Sequence, residues 1–362
     1  MWLQQHNRII RYHRKIIVFA LLFFWRCFAG AQVITGIVCD KATKLPVSDI
    51  YVYLDGTSNN TKTNVSGRFE LKTKSVFNTK LVLHHLSYET AIIDDPFNEL
   101  PDTLYVKEKV KILRGVTILA DRFTREQKMK VFREQFLGTT RAGKSCTIMN
   151  EDDIQFNIDW EARRLLASSE NPVIVVNNYL GYEVSFILID FWIQYGGTGI
   201  VSLDSEWVNS SFFSGVSSFT EIDSDKRRTK RRRDNVYELS SNYFFKSLAN
   251  NHLKDNKFMI FNNSFPVDYR QYFTIKDTLS LKMLTIIPDT DINKSLPFTG
   301  LKPSGIISVL YRRSIQSDIY FMTDSFLVDR YGNIDQIDNV SFSGRMGKNR
   351  AGDMLPIDYE IE

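Results

Sequence analysis

The chain has 362 residues, 43% hydrophobic, 13% aromatic and 24% charged, a balance that excludes a disordered, collagen-like or multi-span membrane protein. Its formal charge of +4 belongs to the front end: Arg8, Arg11, Arg14, Lys15 and Arg26 lie in the first 31 residues, which hold no acid, and the remainder carries 41 bases against 42 acids. That balance argues against a protein-wide nucleic-acid footprint, and at about 100–200 residues per domain two domains are expected.

Arg8 to Lys15 form a positive segment, Ile16 to Trp25 are ten uninterrupted apolar residues, and Ala29-Gly30-Ala31 follows. This pattern predicts a secretory signal peptide over residues 1–31, cut after Ala31, because ten apolar residues fall well short of the ~20 that span a bilayer. The long basic segment and Arg26 leave an uncleaved anchor as the alternative. An exported chain, in the periplasm or at the outer membrane with at most peripheral membrane contact, is the expectation. In an oxidising compartment Cys39 and Cys146 could pair, or could remain two unpaired thiols.

From Val33 the pattern is β. Val33 to Val38, Ile50 to Leu54, Arg68 to Leu71, Leu81 to Leu83, Thr103 to Val106 and Gly115 to Leu119 read as short strands separated by turn signals, which predicts a small sandwich over residues 32–120. Beyond Ala120 the periodicity changes. Phe123 to Leu137 predicts an amphipathic helix, Asp152 to Ser168 a second, and the cap signal Ser240-Ser241 a third that carries Tyr243, Phe244, Leu248 and Leu253. Val173 to Val176 and Tyr182 to Trp192 read as strands. Residues 121–362 are therefore expected to form a mixed α+β domain, and the whole to be mainly β.

The first domain offers motifs for comparison. Val33-x-x-Gly36-x-Val38-x-Asp40, Thr43-x-x-Pro46-Val47, Val52-x-Leu54 and Thr63-Asn64-x-x-Gly67-x-Phe69-x-Leu71 resemble the carboxypeptidase-regulatory-like, or transthyretin-like, β-sandwich of exported Bacteroidota proteins. Ser87 stands where that family has a glycine before its tyrosine, here Tyr88, and Gly115 where an acid is frequent. The resemblance implies an Ig-like sandwich in which Gly36, Pro46, Gly67 and Phe69 define the fold. Phe136-Leu137-Gly138, Cys146-x-Ile148-x-Asn150, the run from Pro172 to Tyr182, Asp190-Phe191 and Leu355-Pro356-x-Asp358-Tyr359 resemble the uncharacterised region that follows the sandwich in such proteins, which implies an envelope location and no known reaction.

Catalytic templates do not fit. Gly138 to Ser145 spells the phosphate-loop string G-x-x-x-x-G-K-S, but the segment before it is helical in pattern where a buried strand is needed, so a solvated turn is expected. Of His84, His85 and His252, none begins a His-x-x-Glu pair, so no zinc peptidase site is expected, and neither is any other metal or cofactor. No G-x-S-x-G elbow occurs. Cys146 has only His252 in its domain as a partner. Paired carboxylates in the second domain keep an extracytoplasmic hydrolase open as the alternative function, with Glu183 and Asp190 the acids to test.

Lys226 to Arg233 place seven bases in eight residues: Lys226, Arg227, Arg228, Lys230, Arg231, Arg232 and Arg233. They could contact an anionic partner, although such a run also reads as a solvated loop before the third helix. Tyr179, Tyr182, Phe186, Phe191 and Trp192 could present a sugar-stacking platform or, for most of them, pack a core. The expected function is a non-enzymatic cell-envelope binding or scaffold module for a surface glycan or an envelope protein.

Overall fold

The structure is a computed structural model and describes residues 32–73, 79–98, 100–109, 122–222, 226–262, 265–278, 281–287 and 303–361. The expected leader over residues 1–31 and the expected strand Gly115 to Leu119 lie outside the described residues.

The N-terminal unit is a two-sheet sandwich. Its strands are β1 (Gln32–Asp40), β2 (Tyr51–Leu54), β3 (Asn60–Lys62), β4 (Arg68–Thr73), β5 (Leu81–His85), β6 (Tyr88–Ile93) and β7 (Thr103–Val106). One sheet runs β4-β1-β7, with β1 antiparallel to β4 and parallel to β7; the other runs β3-β2-β5-β6. Val38, Val52, Leu71, Leu81 and Leu83 close the space between them, each such side chain contributing about 1.5–3 kcal/mol on burial.

Local chemistry explains why these residues turn where they do. The Asp40 carboxylate accepts the backbone N–H groups of Ala42 and Thr43 and so closes the turn after β1. Thr63, buried, donates to the Val47 carbonyl and accepts from the Ile50 amide, tying two strand ends together. Asn64 accepts from the Ser66 and Arg68 amides around the left-handed Gly67.

Helix α1 (Arg125–Phe136) opens the rest of the chain with a capping box between Thr124 and Gln127. It packs on a six-stranded sheet made of β8 (Cys146–Ile148), β9 (Ile154–Asp159), β10 (Arg164–Ser169), β11 (Val173–Asn177), β12 (Tyr182–Tyr195) and β13 (Val208–Glu221). The order is β8-β11-β12-β10-β9, with β13 along the other side of β12. Phe132 and Phe136 of α1 meet Phe191 and Phe186, with ring centroids 4.7 and 5.2 Å apart.

The helix expected over Asp152 to Ser168 is instead the hairpin β9–β10, paired antiparallel from Ile154↔Ser169 to Asp159↔Arg164. Ile154, Leu165 and Ala167 turn inward at every second position, and Arg163 takes a left-handed conformation (φ 54°) at the turn. The two-residue period, not the helical one, decides this segment.

Helices α2 (Lys226–Glu238) and α3 (Ser241–Ala249) follow, the second capped by the Ser240 hydroxyl. Then come β14 (Phe258–Asn262), β15 (Phe265–Val267), β16 (Phe273–Thr278), β17 (Leu281–Ile286), β18 (Gly305–Tyr311), β19 (Ile315–Phe321), β20 (Ser325–Val328) and β21 (Val340–Phe342). They form sheets β15-β14-β18-β19-β21 and β16-β17-β20. Phe244 and Phe245 of α3 fill the core with Phe258, Phe321 and Phe326, separately from the core under α1. The protein is mainly β, an N-terminal β-sandwich followed by mixed α+β structure. Among the described residues no helix is long and apolar enough to cross a membrane.

The sandwich is joined to the six-stranded sheet by more than the chain. Thr57 bridges Ser218 of β13 in parallel, the Gly56 amide donates to the Ser217 carbonyl at 2.7 Å, and the Phe219 amide donates to the Thr57 carbonyl at 2.9 Å. Tyr53 and Val82 pack on Val216 beside this seam.

Candidate functional site

The basic run from Lys226 to Arg233 lies in α2 and not in a loop. Thr229, Arg233, Val236 and Tyr237 fall at helical spacing and are buried, while lysine and arginine are good helix formers, so the segment winds despite its charge. The seven bases divide by position. Arg233 is drawn inward, its side chain 10% exposed, and bonds the Leu180 and Gly181 carbonyls and Glu221. Its guanidinium carbon stands 3.9 Å from the Tyr182 ring centroid. Burial pushes that phenol up to about 12, and the neighbouring cation pulls against the shift.

Arg232 donates to the Tyr179 carbonyl at 3.2 Å and lies over the Tyr179 ring at 4.6 Å. Arg141, from the segment after α1, lies over the same ring at 5.2 Å. The ring is held in place by Asn177, whose side-chain oxygen accepts the Tyr179 and Leu180 amides and whose nitrogen donates to the Gly352 carbonyl. Two basic segments 85 or more positions apart in the sequence therefore meet at one tyrosine. Lys226, Arg227, Arg228 and Arg231 of the same helix are exposed, as is Lys144 on the short turn beyond Arg141; Lys230 is half-buried. Among the described residues no carboxylate pairs with Arg141, Lys144, Arg227, Arg231 or Arg232.

Helix energetics do not favour this arrangement. Arg227 and Arg231 are like charges one turn apart, and the bases crowd the helix start, where its dipole is positive and no acid stands in the first turn.

The phosphate-loop string is engaged elsewhere, and it is packed where a solvated turn was expected. Ala142 and Gly143 are buried. The Gly143 amide donates to the Thr140 hydroxyl, the Lys144 amide to the Thr140 carbonyl and the Ser145 amide to the Ala142 carbonyl, so the three amides of the Gly-Lys-Ser end are committed within the protein. Thr140 in turn donates to Asp353 at 2.8 Å, and a side chain at Gly143 would meet the Leu137 carbonyl oxygen at 2.4 Å.

Other sequence candidates are scattered. His84 shares a hydrogen bond with Thr90 at 3.1 Å and burial pushes it down to about 4. Among the described residues no three His, Cys, Asp or Glu side chains come together. Cys39 and Cys146 are both free thiols. Burial pushes Cys146 up to about 12, and its sulfur faces the Ala142 carbonyl, so it is a poor nucleophile. Glu183 and Asp190 sit on one strand seven residues apart, about 20 Å at strand rise, beyond the ~5–9.5 Å of a glycosidase pair. Of the aromatic residues, Tyr182, Phe186 and Phe191 are core, while Tyr179 and Trp192 are half-buried.

The four fold-defining residues gather in the sandwich. Phe69 lies directly across from Gly36, where a side chain would come within 2.9 Å of its ring, and Gly67 (φ 69°) packs against Pro46 and the Val38 carbonyl. No curated protein matches the chain. A family model does: residues 34–118 match the CarboxypepD_reg-like domain, and the chain carries that β-sandwich at its N-terminal end.

Proposed function

We propose that the protein is a non-enzymatic binding module of the cell envelope whose cationic face, made by α2 and Arg141, receives an anionic glycan rich in phosphate or carboxylate. The observation that carries this reading is the convergence of Arg141 and Arg232 on Tyr179, at a helix that also exposes Arg227 and Arg231. Guanidinium groups bind such oxyanions bidentately, and their dense spacing suits a repeating polyanion. The leader pattern over residues 1–31 supports delivery beyond the cytosol.

Binding of the purified protein to lipopolysaccharide and to dextran sulfate, with neutral dextran as control, tests the reading. Affinity for the anionic probes is expected to fall with salt and to drop about tenfold or more in the double variant Arg227→Glu, Arg231→Glu. Equal affinity for neutral dextran, or salt-independent binding, would overturn it.

A further inference from the structure

Among the described residues the outer face of the six-stranded sheet is only half covered. Along β12 a bulge between Leu188 and Asp190 resets the alternation, so Val184, Phe186 and Leu188 before it and Phe191, Ile193 and Tyr195 after it are all buried under α1. Ile187 and, across the bulge, Trp192 and Gln194 therefore look to the opposite side. The sandwich covers this outer face at the Ile187 end, where Tyr53 and Val82 pack on Val216 of β13 and on Ile187. At the other end the face is open among the described residues, with Trp192 and Gln194 half-buried and Phe212 exposed.

On that open half the register sets Trp192 directly across from Phe212 of β13 and from Leu166 of β10. The Trp192 and Phe212 rings stack with centroids 5.7 Å apart and planes at 23°. Arg164 lies over the indole at 4.5 Å, so a guanidinium, an indole and a phenyl ring form consecutive rungs, with Phe212 the outermost and 44% exposed. The ladder is held rigidly: Arg164 Nε donates to Gln194 at 2.8 Å, and Gln194 donates to the Ala162 carbonyl at 2.7 Å. Among the described residues the terminal nitrogens of Arg164 and the indole N–H of Trp192 have no partner. Asp190, two residues before Trp192 on the same face of β12, is exposed and, among the described residues, outside any ion pair.

This surface differs in kind from the cationic face. It offers an exposed ring to stack on, fixed N–H donors and a carboxylate acceptor beside it, and a charge balance of Arg164 against Asp190 and Asp159. A pyranose is the complement: its C–H face packs on an aromatic ring while its hydroxyls accept and donate at the rim. A polyanion would meet two carboxylates there. A protein partner would be expected to find a larger apolar centre than one stacked pair.

We infer that the open half of this sheet is a second binding site, for a neutral pyranose oligosaccharide, with Phe212 and Trp192 as the stacking rungs, Arg164 and Asp190 as the hydroxyl contacts, and Gln194 as the brace of Arg164. Affinity electrophoresis of the full protein through gels containing soluble neutral glucans, mannan, xylan or galactan tests it. At least one polysaccharide is expected to retard the protein equally at low and high salt. Phe212→Ala, which lies outside every core cluster, is expected to weaken that retardation about tenfold while leaving the melting temperature unchanged. A Trp192→Phe variant keeps a ring to stack on, so it should retain binding but lose any ligand-induced change in tryptophan fluorescence. Migration unaffected by all the polysaccharides would overturn the inference, and so would retardation that survives Phe212→Ala. A concentration-dependent dimer that Phe212→Ala abolishes would overturn it as well, by giving the face to a second copy of the chain.

Discussion

Asp55, in the loop after β2, accepts the backbone N–H of Ser217 on β13 at 2.7 Å, so a carboxylate from the sandwich closes the seam with the neighbouring sheet. Burial pushes its pKa up to about 6, against hydrogen bonds from Ser217 and Gly56 and the nearby Lys80 that pull it down. The folded state therefore holds this proton more tightly than the unfolded chain does. Its contribution to stability is greatest below the ordinary carboxylate pKa and is lost as pH rises through about 6. Asp55→Asn keeps an oxygen acceptor and removes the charge, so the difference in melting temperature between variant and parent should grow between pH 4 and pH 7 in the variant's favour. Asp55→Ala, which leaves the Ser217 amide without its acceptor, should cost about 1–3 kcal/mol in denaturant unfolding. A parent–variant difference independent of pH would show that Asp55 is not buried in this seam.

The bases of α2 should separate sharply by position. Arg233 satisfies two carbonyls and Glu221 and stacks on Tyr182, so Arg233→Ala is expected to cost about 2–4 kcal/mol of stability. Arg227→Ala, at an exposed position, should change stability by no more than about 0.5 kcal/mol while reducing binding to anionic probes. Urea unfolding of the two variants beside the parent checks the division; similar values for both would mean that α2 does not pack as described.

A register pair holds the sandwich together. Gly36 faces Phe69, and a side chain at Gly36 would sit 2.9 Å from the ring. Gly36→Ala should therefore cost about 1–3 kcal/mol by overpacking. Phe69→Leu frees space at that point, so the double variant should lose less than the sum of the two single losses, with a coupling of about 0.5–3 kcal/mol. Simple additivity would place the two residues apart. Gly67→Ala is a separate case: the backbone there is left-handed, and a Cβ would stand 2.5 Å from the Val38 carbonyl oxygen, so a smaller neighbouring side chain brings no relief.

The sandwich is legible in sequence because its signals are local. Asp40, Thr63, Asn64 and Gly67 each act within a few residues or at one strand crossing, and their spacing survives translation into letters. The hairpin β9–β10 is not, because Asp152-Asp153 imitates a helix start and Ile158, Leu165 and Leu166 suit a helical stripe as well as a strand. The deciding alternation, Ile154 and Phe156 against Gln155 and Asn157, is short. In α2 the charge hides the buried positions Thr229, Arg233, Val236 and Tyr237. Neither surface of interest can be read from spacing at all: Arg141 reaches Tyr179 through a turn locked by Asp353, and Trp192 meets Phe212 only through a register that includes a bulge.

The phosphate-loop string makes a last prediction, because its letters and its geometry disagree. Thr140 and Asp353 join the end of α1 to the C-terminal segment, and burial raises the Asp353 carboxyl above the usual range while the Thr140 hydroxyl holds it down. Thr140→Val should then cost about 1–3 kcal/mol, since it strips a hydrogen bond from a buried carboxylate and from the Gly143 amide. Lys144→Ala should leave stability within about 0.5 kcal/mol of the parent, the side chain being exposed and, among the described residues, outside any ion pair. A nucleotide-binding loop would reverse that order of importance. It would also raise the melting temperature with Mg-ATP, because a ligand that binds only the folded state stabilises it by mass action. Thermal unfolding with and without Mg-ATP is expected to give coincident curves for parent and Lys144→Ala. A shift in the parent that Lys144→Ala removes would mean that the loop opens to expose its amides, and that the contact between Thr140 and Asp353 is a latch.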